Sequence, residues 1–389
     1  MDNIVIVGAG QGGLQAAISL RQDGFTGRIT LIGGEEGLPY QRPPLSKAYL
    51  KTGDAGALRL RPASFFAKAG IDLIGGLWVD HIDRNAQTVM AGDRVFPYDH
   101  LILATGTRNL RPPIPGLDRA LDLRTLQDAS RLRAALDRPK RCAVIGGGFI
   151  GLEFAAVAAG LGHDVTIAEA APRLMARAVS PAMSERFHAL HRDLGTTLHL
   201  NAPVTDVTED GITLQDGSAI GADVVLLAAG VRPNTHLAKV AGLPVENGIV
   251  VDAFLLTNDP AISALGDCAV FPNPNTGQPV RLESVQAATD HARLISRRIT
   301  GKSRDPYAAV PWFWSDQADA KLQIAGLAAP DDEALAGADG TIWRFAGDRL
   351  SAVETVNNAK THMQARKRLA GVPIDRAALF GTGFDISAV

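Results

Sequence analysis

Apolar positions along the chain fall into two repeating patterns. Short unbroken runs of Val, Ile and Leu, the signature of strands buried on both faces, alternate with longer runs of helical period. Ile4 to Val7 runs straight into Gly8, Gly10 and Gly13 in IVIVGAGQGG, and Cys142 to Ile145 runs into Gly146, Gly148 and Gly151 in CAVIGGGFIG. Each predicts a strand, a tight turn and a helix start. Second strands follow at Ile29 to Ile32 and His163 to Ala168, closed by Glu35 and Glu169. Tyr98 to Gly106 (YDHLILATG) and Asp223 to Gly230 (DVVLLAAG) are further buried strands ending in small residues, and Ile249 to Asp252 and Ile262 to Leu265 carry the chain back. Between these units the pattern predicts a short helix over 63–70, strands near 71–74 and 77–82, and a hairpin turn at Ala91-Gly92-Asp93. Past Pro306 strands follow one another in PWFWSDQ, KLQIAGL, TIWRFAG and LSAVETVN, then a basic helix runs through Ala370. That order predicts a separate α+β domain.

The two glycine stretches carry the first chemistry. In GxGxxG after a strand, the first glycine (Gly8, Gly146) allows the turn. The second (Gly10, Gly148) lets backbone approach a pyrophosphate, and the third (Gly13, Gly151) lets the helix pack on the strand. The helix N-terminus then offers free N–H groups to phosphate. Two complete fingerprints imply two dinucleotides, or one plus a degenerate site, and both are intact here. Glu35 is placed to bind an adenosine ribose, with Glu36 as a possible substitute; Glu169 would bond the 2′-OH of NADH and repel the 2′-phosphate of NADPH, a preference that Arg173 and Arg177 could soften. The turn Ala104-Thr105-Gly106 permits close approach of a flavin-sized ligand, Asp267 can reach a ribityl hydroxyl, and the helix Glu283 to Thr300 begins at Ser284-Val285-Gln286, where it could point at a flavin edge. In LPYQRPPLSKAYL, prolines 39, 43 and 44 stiffen the entry that carries Arg42 and Lys47, and Leu45 to Leu50 reads as a helix start; a stiff surface loop is the plainer alternative. Trp312, Phe313 and Trp314 serve either as a core anchor or as a wall beside a flavin.

Composition narrows the field. The chain has 389 residues, a net charge of -2 and 40 glycines, so two or three α/β domains are expected and nothing global points to nucleic acid or an anionic membrane. No apolar run reaches the ~18 residues of a membrane span. The first strand begins at once, leaving no room for a signal peptide, and a cytoplasmic protein is expected. The two cysteines, Cys142 and Cys268, read as small buried thiols, and no cysteine precedes position 142, so disulfide chemistry is not expected. The histidines lack metal spacing; His188 and His191 share a helical face and read as surface residues, and no metal is expected. The proline-rich RPPIPG, Arg111 to Gly116, marks a boundary. Residues 1–110 with 236–306 then form one discontinuous dinucleotide domain, 111–235 a second, and 307–389 the α+β domain.

Taken together, VGAGQGG, LPYQRPPLSKAYL, YDHLILATG, LRTL, VIGGGFIGLEFAA, AAGVRPN, ISALGDCA, RLESVQAATDHAR and PWFWSDQ occur here in the order of a known family. The chain resembles the FAD-dependent, NADH-using ferredoxin reductases of bacterial oxygenase systems, the putidaredoxin reductase and palustrisredoxin reductase group, from Ile4 to at least Asn357. The resemblance implies two Rossmann-like domains of the glutathione-reductase type plus the C-terminal domain. It implies FAD, held non-covalently on the first fingerprint with Gly12, Glu35, Lys47, Val79, Arg124, Asp267 and Val285, and NADH on the second with Gly148, Ile150, Glu169 and Gly230. Gly34 departs from members with Asp there, and Ala287 replaces a common Asn. The implied reaction passes a hydride from NADH to flavin N5, then single electrons to a 2Fe-2S ferredoxin. Lys47, paired with Glu153, would favour the anionic reduced flavin, with Trp314 beside it. A monomer is expected. An acidic ferredoxin would dock on Arg293, Arg297 and Arg298, since i, i+4 spacing puts the first two on one helix face. The alternatives are a rubredoxin reductase, an NADH oxidase, and a flavin-based interaction protein resembling apoptosis-inducing factor.

Overall fold

The computed structural model describes residues 1–274 and 277–389. The chain divides into two compact units, the first made of residues 1–41, 56–108 and 231–309, the second of 42–55, 109–230 and 310–389. The sequence reading divides the chain into three; here the 42–55 segment, which carries Lys47, and the C-terminal residues group with the second fingerprint.

In the first unit, five parallel strands lie in the order Ile262–Ala264, His100–Leu103, Asn3–Val7, Arg28–Ile32, Ile71–Ile74. Val7 is in register with both Ile32 and Leu103, so three strands end together beside the first glycine turn. The strands read as unbroken apolar runs because both faces are covered: Ile4, Ile6, Leu101 and Ile102 are all buried. Each such side chain contributes roughly 1.5–3 kcal/mol by leaving water. The fingerprint helix Gln11–Gln22 covers the sheet and packs against the helix Val285–Ile299. A three-stranded antiparallel sheet of His81–Asp83, Thr88–Ala91 and Arg94–Pro97 forms the insertion, with the expected turn at Gly92. The strand expected over 77–82 is found over His81–Asp83: in the lead-in the Leu77 N–H donates to Gly33 O at 2.9 Å, outside the three-stranded sheet, and the chain joins that sheet where Asp80 N donates to Met90 O at 3.0 Å.

In the second unit, four parallel strands run in the order Thr197–His199, Asp164–Ala168, Arg141–Ile145, Val224–Leu227, with an antiparallel trio over 204–221. The C-terminal part is a five-stranded antiparallel sheet ordered Trp312–Gln317, Ala320–Gly326, Arg349–Val356, Ile342–Ala346, Glu333–Ala336, backed by the basic helix Ala359–Leu369. Strand Glu333–Ala336 and helix Arg376–Gly381 are too short to show a period and were not expected. A buried Glu354 carboxylate accepts from Arg344 Nη1 at 3.0 Å and from Ser180 N at 2.8 Å and Oγ at 2.7 Å, so the ion pair is fully partnered. Leu45 to Leu50 is not one helix. A 3-10 turn Pro43–Ser46 and a short helix Ala48–Thr52 meet at Lys47, whose φ of -126° and ψ of -102° break the run.

Candidate functional site

The two fingerprints have the same local geometry. Gly8 has φ +112° and Gly146 φ +113°, and a Cβ on either would run into the carbonyl of the neighbouring strand end, Ala104 or Ala228. Beta carbons on Gly13 and Gly151 would strike the carbonyls of Gly8 and Gly146. Beside Gly10 and Gly148, by contrast, a Cβ meets nothing within 4 Å. Neither helix start has a side-chain cap or an acid in its first turn. Open space in front of uncapped N–H groups is what a pyrophosphate requires, so both cradles fit a dinucleotide.

Around the first cradle, Gly12 packs on Leu265 and Ala288, so the helix that starts after Ser284 sits against the fingerprint helix. Ser284 caps that helix, accepting from Ala287 N at 3.0 Å, and Val285 is its first residue. Thr105 Oγ1 donates to Asn234 O at 2.7 Å and Asn234 Nδ2 donates back to Thr105 O at 2.9 Å, latching the turn that ends at Gly106. Asp267 accepts from Thr107 Oγ1 at 3.2 Å. Glu35 accepts from the Tyr40 hydroxyl at 2.5 Å, while Glu36 is exposed. Val79 is half-buried beside Trp78.

Around the second cradle, Glu169 is held by backbone: its two oxygens accept from Gly147 N at 2.5 Å and Ala171 N at 2.7 Å. Arg173 cannot soften Glu169, because its guanidinium donates to Val179 O, Ser184 Oγ and Ala176 O. Arg177 is exposed and lies beside Gly230, 3.3 Å from where a Cβ would stand. Ile150 is exposed on the first turn of the helix Phe149–Gly160.

In the same unit, Lys47 Nζ lies 2.7 Å from Glu153 Oε2, the pair expected of these residues. Glu153 is 3% exposed, so the ion pair is shielded from solvent on its acidic side. Ser46 Oγ donates to the same oxygen at 2.5 Å and Ser315 Oγ to Oε1 at 2.8 Å. Arg42 Nη1 donates to Arg124 O at 2.7 Å, joining two further expected residues. Strand alternation explains what the aromatic reading of PWFWSDQ missed. Trp312 and Trp314 share one face, where Arg366 lies 4.2 Å over the Trp312 ring and Trp314 is half-buried. Ser315 and Gln317, on the other face with Phe313, are buried among Phe149, Glu153 and His191. Two polar residues at period two on an apolar strand face were the available signal.

Other expectations are corrected as well. His191 is a buried residue, bonded to Gln317 Oε1 at 2.9 Å, and burial lowers its pKa. The helical spacing that paired it with His188 could not show that this face packs inward. Arg298 Nη2 donates inward to Ser263 Oγ at 2.6 Å, and burial lowers its pKa to about 10, so it is removed from the docking face; Arg293 and Arg297 are exposed. Leu45–Leu50 is interrupted at Lys47, as described above. Both cysteines are buried; burial pushes the Cys142 thiol up to about 12 and raises Cys268. Among the described residues no cluster of His, Cys, Asp or Glu could hold a metal, and no helix is long and apolar enough to cross a membrane.

Two dinucleotide cradles on parallel sheets, followed by an antiparallel module, define a pyridine-nucleotide flavoprotein. The chain belongs to the pyridine nucleotide-disulphide oxidoreductase family, whose model matches residues 2–292, and residues 312–389 match the reductase C-terminal domain. Within that family it is one of the FAD-dependent, NAD(P)H-using ferredoxin reductases. It is 47% identical to rhodocoxin reductase of Rhodococcus erythropolis, over 99% of this chain and 93% of that protein. The ferredoxin reductase for the CYP199A2 system of Rhodopseudomonas palustris superposes with a TM-score of 0.95 at 42% identity, covering 99% of each chain. Putidaredoxin reductase, in its covalent complex with putidaredoxin, gives 0.92 at 37% identity, covering 97% of this chain and 95% of that one.

Proposed function

We propose that this protein carries electrons from NADH, in preference to NADPH, to a 2Fe-2S ferredoxin that serves a monooxygenase or dioxygenase, and that it does so as a monomer. The observation that carries the reading is the conjunction of two dinucleotide cradles with buried, unreactive cysteines. A thiol must be ionised and accessible to exchange, and neither Cys142 nor Cys268 is, so no dithiol relay receives the electrons. When bound, the flavin supplies hydride acceptance and one-electron release. The chain's residues then have positioning and electrostatic work. Gly8, Gly10, Gly12 and Gly13, with Glu35, Val79, Ala104, Thr105, Gly106, Asp267, Ser284 and Val285, would hold FAD; Arg42, Lys47 and Arg124 belong to the same set by the family's pattern. Gly146, Gly148, Ile150, Gly151, Glu169 and Gly230 would hold NADH. Lys47, oriented by Glu153, would supply a cation that favours the anionic reduced flavin, and Trp314 would stand beside it, as the family's pattern implies.

The test is NADH-driven reduction by the purified yellow protein of a panel of 2Fe-2S ferredoxins and rubredoxins. Reduction of a 2Fe-2S member is expected; turnover of rubredoxin alone, or of oxygen alone, would reject the reading. Docking rests on the exposed Arg293 and Arg297. Arg293 already has Asp290 at 3.6 Å, so it contributes weakly at rest. Replacing both with Ala should lower kcat/KM for ferredoxin about threefold at low salt, less at high salt, with flavin reduction by NADH unchanged. Insensitive ferredoxin kinetics at low salt would remove this face from consideration.

A further inference from the structure

Glu153 stands at one end of a buried chain of hydrogen bonds that the ion pair alone does not require. Ser315 Oγ donates to Glu153 Oε1 at 2.8 Å, so its lone pairs are free to accept, and Gln317 Nε2 donates to it at 3.2 Å. The second Gln317 N–H points to Met175 Sδ at 3.8 Å, and its Oε1 faces His191 Nε2 at 2.9 Å. Ser315, Gln317 and His191 are all fully buried. The polarity of this chain is set by its two ends. A carboxylate only accepts, so the serine must donate to it. The amide must then present N–H to the serine, and His191 must carry its proton on Nε2. Among the described residues His191 Nδ1 is buried with no partner, so the reversed chain, which would put a proton there, would leave a buried donor unsatisfied. Met175 extends the chain to the second cradle: its N–H donates to Gly147 O at 2.9 Å, and Gly147 N holds Glu169. Its φ of +50° shows a backbone constrained at that point.

We propose that Gln317, oriented by His191, is a positioning residue for the NADH half-reaction, holding Ser315 and through it the Glu153 carboxylate that orients Lys47. The proposal rests on the reading that Lys47 and Glu153 serve that half-reaction. Gln317→Glu keeps the shape but supplies only acceptors, so the Ser315 hydroxyl turns to the new carboxylate and leaves Glu153.

The experiment is anaerobic stopped-flow reduction of the FAD-loaded protein by NADH, resolved into limiting rate and half-saturating NADH. Gln317→Glu and Gln317→Leu should lower the limiting rate about tenfold, with half-saturation changed less than about twofold. His191→Leu should lose about threefold, and His191→Gln, which restores an N–H at the Nε2 position, should recover most of it. The Lys47→Ala, Gln317→Glu double variant should be no slower than Lys47→Ala alone, because residues acting through one another are not additive. A purely structural role would move melting temperature and give additive rates. Independently of turnover, ¹⁵N NMR of the His191 ring should show the proton on Nε2. A wild-type limiting rate in both Gln317 variants, additive rates, or the proton on Nδ1 overturns the proposal while leaving the Lys47 reading intact. A wild-type rate in Lys47→Ala overturns both.

Discussion

The two fingerprints agree in their glycines and differ in how each secures its acid. Glu169 is held by two backbone N–H groups, one of them from the glycine turn itself, whereas the groups that hold Glu35 include a side chain, the Tyr40 hydroxyl. Charge-assisted bonds from backbone that is already fixed leave a carboxylate little freedom, and a carboxylate fixed beside a ribose discriminates strongly against a second negative charge. On the proposed assignment the second cradle would select between NADH and NADPH, and the first would retain FAD.

The largest effect should come from breaking the shared geometry. A valine at Gly13 or Gly151 collides with backbone that cannot yield, at a cost of roughly 3 kcal/mol or more. Gly13→Val is expected to purify without flavin absorbance. Gly151→Val should keep its yellow colour and lose NADH-driven reduction. Flavin loss in the second variant but not in the first would reverse the assignment of the two cradles.

A smaller effect sharpens the difference in the acids. Glu169→Ala removes the group that rejects a 2′-phosphate, and the ratio of kcat/KM for NADH over NADPH should fall by at least about tenfold, equivalent to ~1.4 kcal/mol or more. An unchanged ratio would show that selection lies elsewhere, with the exposed Arg177 as the next residue to vary.

The smallest concerns Tyr40. Tyr40→Phe removes one hydrogen bond to Glu35 and should weaken FAD binding by about 0.5–1.5 kcal/mol, some three- to tenfold in Kd, read by fluorescence titration of the apoprotein. NADH selectivity should not move. A change in selectivity without a change in FAD affinity would contradict the division of labour drawn above.

Much of this molecule was determined by local sequence. Unbroken apolar runs ending in Gly8, Gly10 and Gly13, and again in Gly146, Gly148 and Gly151, can only become buried strands, sharp turns and helix starts, because the steric limits on φ and on Cβ act within a few residues. The hairpin at Gly92 and the α+β module were legible for the same reason. The pairing of Lys47 with Glu153 was visible only through resemblance to a family, since the two lie far apart in the chain. What surrounds the pair was decided by tertiary packing. Nothing local distinguishes His191 on its helix from a solvated polar residue, and alternation marks Ser315 and Gln317 without naming their partners; burial against Glu153 and Met175 gives them those partners and a fixed polarity. Arg298 and Arg173 show the converse, cations that spacing placed at a surface and that packing turned to internal acceptors. Periodicity reports which face of an element is apolar. Which polar group on that face meets which distant partner depends on how the elements pack, and only the folded chain brings them together.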